Sequence, residues 1–79
     1  MFQITIEKAM RLHDNLVTVM GGCQNKREFT NPLVDDSGNT YEARVPLGKA
    51  LVFDDTRIIL GLTGAYDAEA LKGRTLVSA

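Results

Sequence analysis

Apolar and polar residues alternate from the start of the chain. Phe2, Ile4 and Ile6 fall on one side of an extended backbone, and Gln3, Thr5 and Glu7 on the other. A period of two is what a strand with one buried face requires. From Glu7 to His13 the pattern is ambiguous, because Ala9, Met10 and Leu12 fit either a continued strand or one helical turn. His13, Asp14 and Asn15 read as the turn that follows. Leu16 to Met20, rich in β-branched residues, predicts a second strand, which Gly21 and Gly22 end or bulge. Cys23 to Pro32 is polar and irregular, either an exposed loop or a short strand pinned by the ring of Phe29. Pro32 cannot donate to a ladder and so belongs at a strand edge or start.

Leu33 and Val34 lead into Asp35-Asp36-Ser37-Gly38-Asn39, the strongest turn signal in the chain. Thr40 to Leu47 then places Tyr41, Ala43, Val45 and Leu47 on one side, giving a hairpin across Gly38. Pro46 limits how central that strand can be, and Gly48 breaks it. Ala50 to Phe53 is a further apolar run, and Asp54-Asp55 a second turn. In the tail, Ile58, Leu60 and Leu62 share one side of a strand, with Ile59, Gly61 and Thr63 on the other. Gly64 stops it. Asp67 is suited to cap a single helical turn, Ala68 to Lys72, which Gly73 ends. Thr75, Leu76 and Val77 form a closing strand. Together these predict an all-β fold, a small closed or partly open β-barrel of about six short antiparallel strands. One short helical turn lies near the C-terminus. Closure is expected because it removes unpaired edges.

The 79 residues form one domain, 1–79, with 44% hydrophobic and 24% charged residues, an ordinary globular composition. No apolar run approaches the ~20 residues that span a bilayer. The sequence does not open on a basic stretch followed by an apolar block, and its single Cys23 has no internal disulfide partner. A cytoplasmic location is therefore expected. Nine Lys and Arg against ten Asp and Glu give a net charge of -1. That balance lacks the basic excess on which phosphate neutralisation rests, so nucleic-acid binding is possible but not favoured.

Several motifs resemble a known family. Phe2-Gln3-Ile4 opens the chain, Val17-Thr18-Val19 runs towards Gly21, and Asp35 to Asn39 form a D-x-x-G-N turn. Residues 58–64 read I-x-L-x-L-x-G, and residues 67–76 read D-x-E-x-L-K-G-x-T-L. This resembles the β-barrels like domain 2 of elongation factor Tu in the translational GTPases, most clearly over residues 57–77. The matching positions are Phe2, Ile4, Val17, Gly21, Ile59, Gly64, Leu71, Gly73 and Leu76. They are glycines and apolar residues, so the resemblance implies a six-stranded barrel sealed by its last strand. It also implies RNA or ribosome association. A second likeness, through Leu47 to Arg57, is to the small barrel of sorbitol-specific phosphotransferase IIA proteins, which carry a phosphorylated His.

The candidates for chemistry are few. His13, the only His, stands beside Asp14, but adjacent residues rarely point together, and a surface turn is the simpler account. Cys23 near Lys26 could be a reactive thiol or a small semi-buried residue. Asp35, Asp36 and Asn39, and Asp54 with Asp55, are oxygen clusters without the ligand spacing of a calcium loop, and Asx turns explain them. No metal or cofactor is expected. The leading expectation is a non-enzymatic module that binds a protein partner or itself, with Lys26, Arg27, Phe29, Lys72 and Arg74 as possible interaction residues. The alternatives are an RNA- or ribosome-associated domain, and a small enzyme or phosphotransfer component using Cys23 or His13.

Overall fold

The computed structural model describes residues 1–45, 52–54 and 56–78. The strands are β1 (Gln3–His13), β2 (Leu16–Gln24), β3 (Leu33–Val34), β4 (Thr40–Arg44), β5 (Val52–Asp54), β6 (Arg57–Thr63) and β7 (Thr75–Ser78). A 3-10 turn, Lys26–Glu28, follows β2, and the short helix α1, Ala68–Leu71, precedes β7. All pairings are antiparallel. The order β2-β1-β7-β3-β4-β6, with β2 also pairing β6, closes six strands into an irregular ring. β5 adds to the margin of β6 beside Ile58 and Arg57. The expected barrel-like all-β fold, sealed by the tail strand, is the one formed.

The alternation read from the sequence sets the core. Phe2, Ile4, Ile6, Val17, Val19, Leu33, Leu60, Leu62 and Leu76 are fully enclosed, with Tyr41, Ala43, Ile58 and Leu71 around them. Phe29 packs edge-on against Phe2, ring centres 5.2 Å apart. Asp67 caps α1 by accepting from the Glu69 N–H at 3.0 Å. Gly73, at φ +84°, takes the left-handed conformation that ends it.

Of the two alternatives at Glu7 to His13, the continued strand is the one formed, and three other expectations are corrected. His13 is the last residue of β1, not part of the turn. Gly21 and Gly22 do not end β2, which runs on to Gln24; the register shift lies opposite them in β1, between Ile6 and Lys8. Val45 is 40% exposed, because β4 stops at Arg44, which pairs with Gly61. The expectations at Pro46, Leu47, Gly48, Ala50, Leu51 and Asp55 lie outside the described residues.

The ladder between β3 and β4 is prolonged by a side chain. Asn31 donates to the Ala43 carbonyl at 2.6 Å and accepts from the Ala43 N–H at 2.8 Å. Its amide thus replaces a backbone pair just before Pro32, where the chain could not donate.

Candidate functional site

Two assemblies stand out, one holding the fold and one facing outwards. The first is centred on Asp35, whose side chain is fully buried. Its Oδ1 accepts from the backbone N–H groups of Ser37 and Asn39, both at 2.9 Å. Its Oδ2 accepts from Asn39 Nδ2 at 3.1 Å, the Tyr41 hydroxyl at 2.7 Å and Arg74 Nη1 at 2.7 Å. The Asx turn was legible; Tyr41 and Arg74 are additions from the fold. With its acceptors so occupied, the carboxylate is a structural tie between the β3–β4 hairpin and the entry to β7. Tyr41 in turn rests against Tyr66, ring centres 5.0 Å apart.

These contacts set two protonation equilibria. The Tyr41 hydroxyl bond, with those from Asn39 and Ser37, holds the Asp35 carboxyl well below its usual 3.8, against the opposing effect of burial. Burial first, and then the bond to Asp35, pushes Tyr41 from 10.0 up to about 12. A depressed carboxyl stabilises the fold above its unfolded pKa and ceases to do so as pH falls through the folded value. A raised phenol stabilises it below pH 10.0 and ceases to do so between there and about 12. Thermal melts across pH are expected to be flat near neutrality, with Tm falling on acidification below roughly pH 4. A second fall is expected above pH 10, reduced in Tyr41→Phe. An alkaline limb unchanged in that variant would exclude Tyr41 as its source.

The second assembly is the outer face of β1, β2 and β6. In an unbroken β1, the even positions Phe2, Ile4, Ile6, Met10 and Leu12 would share one face. The extra residue at Glu7 reverses the parity. Ala9 now packs on the core, while Met10 and Leu12 are 64% and 50% exposed. Lys8, Met20 and Ile59 are cross-strand neighbours, as are Met10, Thr18 and Gly61. Lys8, Met10, Met20, Ile59 and Lys72 border an open, mainly apolar groove of about 440 Å³.

Of the residues anticipated for interaction, Lys72 alone borders this groove, and its ammonium also pairs with Glu69 at 2.9 Å. Arg74 is held by Asp35 and lies 3.6 Å from Asp36. Lys26 and Arg27 stand on the 3-10 turn, and Phe29 follows it, turned onto Phe2. His13 is exposed at the end of β1, whereas Cys23 is buried in β2 with its N–H donating to the Thr56 carbonyl at 2.7 Å. Among the described residues, no three His, Cys, Asp or Glu side chains converge as a metal site would need. Met10, Leu12, Met20 and Ile59 were not among the interaction residues anticipated from the sequence. The available signal was that β1 has apolar residues on both sides of Glu7, at a spacing that only a bulge converts from core to surface. Among the described residues, no helix is long and apolar enough to cross a membrane. Comparison with protein-family models, with curated proteins and with solved structures finds no match.

Proposed function

We propose that this chain is a non-enzymatic, cytoplasmic protein-interaction module that docks a partner protein on the outer face of β1, β2 and β6. The observation that carries this reading is the exposure of Met10, which borders the groove together with Met20 and Ile59, and of Leu12 two residues farther along β1. An exposed apolar groove on a small domain marks an interaction site, and methionine adapts to differently shaped partners. The test compares capture from native extract by the wild type and by Met10→Ser/Leu12→Ser. Both side chains are largely exposed, so the melting temperature should stay within a few degrees of wild type. A protein retained by the wild type should be reduced roughly tenfold or more in the variant. Equal capture by both overturns the assignment of this face.

A second reading is RNA or ribosome association, as the resemblance to the translational GTPase barrels implies. It is supported by Lys26 and Arg27 sharing one turn at the end of β2. Titration against tRNA at low and high salt tests it. Affinity should fall steeply with salt if phosphates are engaged, and no binding at low salt excludes the reading.

A further inference from the structure

Resting on the interaction reading above, we propose that Met10 is a modification site, at which a peroxide converts the thioether to the sulfoxide and so closes the groove to its partner. The chain holds three methionines and one cysteine, and their surroundings differ. Cys23, whose thiolate would be the readiest to react, is buried in β2. Met20 is half-buried between its cross-strand neighbours Lys8 and Ile59. Met1 is 68% exposed, but it lies beside Glu28 and does not border the groove. Met10 is 64% exposed and does border it. Of the four sulfur side chains, Met10 alone combines open access for an oxidant with a place on the docking face. The fold supplies both properties. The extra residue at Glu7 turns Met10 outward, and its cross-strand neighbour on β2 is the short Thr18.

The reaction needs no catalytic group. The thioether sulfur attacks one oxygen of a hydroperoxide, and the O–O bond breaks as the S–O bond forms. The proton of the attacked oxygen passes to the departing one, which leaves as water or an alcohol. Sulfur loses two electrons and the peroxide gains them. Two thiols of a sulfoxide reductase reverse the change, becoming a disulfide as the oxygen leaves in water.

The product carries a strongly polar S=O where the groove had an adaptable apolar side chain. In the free protein that oxygen is hydrated, because Met10 faces solvent and lies outside the core. Under a partner seated on Met10, Met20 and Ile59, it would be shut away from water among apolar groups, which is costly for a polar atom. Oxidation therefore weakens docking and leaves the fold intact.

The test uses the full chain, treated with hydrogen peroxide, freed of it, and mapped by mass spectrometry. Met1 and Met10 should oxidise at rates within roughly threefold of each other, and Met20 several times more slowly. The oxidised protein should melt within a few degrees of the untreated one. It should retain the protein captured from native extract roughly tenfold less. Met10→Leu, apolar and inert to peroxide, should capture that protein equally before and after treatment. Met10→Gln, polar and of similar length, should lose it with no treatment at all. A mixture of sulfoxide reductases acting on both sulfur epimers, with dithiothreitol, should restore capture by the oxidised wild type. Undiminished capture after full oxidation of Met10, or an equal loss in Met10→Leu, overturns the proposal while the docking face stands. Oxidation of Met10 as slow as that of Met20 overturns it through access. If Met10→Ser/Leu12→Ser captures as the wild type does, the underlying reading falls instead.

Discussion

Replacing Gly21 by alanine is expected to come close to unfolding the protein. Gly21 lies in β2 opposite Ile6, at the point where β1 makes its bulge. A Cβ built there would stand 1.8 Å from the Thr5 carbonyl oxygen, 2.7 Å from its carbon and 3.1 Å from the Ile6 Cα. All three are backbone atoms of the neighbouring strand, so no rotamer change relieves the clash, and β1 must move away from β2. Overpacking of this kind costs typically 1–3 kcal/mol and occasionally more. Because backbone is involved, about 3 kcal/mol is the appropriate figure, a fall in Tm of roughly 12–24 °C for a domain of this size. Total stability on the order of 4–12 kcal/mol leaves little beyond that. Gly22 is the control: a Cβ there meets nothing closer than 3.7 Å. Gly22→Ala should therefore be neutral or slightly stabilising, since alanine loses less backbone entropy on folding. Thermal melts of the two variants decide the matter, and equal Tm values for Gly21→Ala and wild type would exclude the close crossing of β1 over β2.

The same crossing explains what could and could not be read along the chain. Alternation in Phe2–Ile6 and in Ile58–Leu62 reports a local property, the two faces of a strand, and the buried sets follow it. The turn at Asp35–Asn39 and the cap at Asp67 are equally local, and both form as their side chains demand. Gly21 reads as a strand end or bulge because glycine is a poor strand former, yet its role depends on Thr5, a residue brought near only by pairing. The bulge at Glu7 is hidden for the same reason, and with it the outward turn of Met10 and Leu12 that makes the candidate docking face. Arg74 reads as one of a pair of basic residues around Gly73. Its attachment to Asp35 spans 39 positions and arises only once β7 lies beside β3. Local chemistry and the closing of the sheet by the tail strand were thus visible, whereas the roles of Gly21, Glu7 and Arg74, each set by a residue on another strand, were not.

Asp35→Ala is expected to lower the melting temperature by on the order of 10 °C, the second large effect. The loss exceeds that of one hydrogen bond because the carboxylate accepts from Ser37, Asn39, Tyr41 and Arg74 together. Its removal strands the Tyr41 hydroxyl, on a residue only 6% exposed. A buried donor without an acceptor forfeits its hydration with no return. Asp35→Asn should be nearly as harmful, since its one amide oxygen cannot serve all these donors and its NH₂ confronts another donor at Arg74 or Tyr41. Arg74→Met should be milder: the carboxylate keeps its other donors, and the Arg74 side chain, 37% exposed, already shares its charge with solvent. Adding Arg74→Met to Asp35→Ala should cost little more than Asp35→Ala alone, because the two residues act through one contact. Strictly additive Tm losses would show that they do not. The consequence reaches β1. The Arg74 carbonyl accepts the Ile6 N–H, the last backbone exchange on this side of β1 before the chain leaves β7. Loosening Arg74 through Asp35→Ala should therefore speed hydrogen exchange at Ile6 while leaving the β2–β6 ladder protected, fraying the pairing of β1 with β7 back towards Thr5.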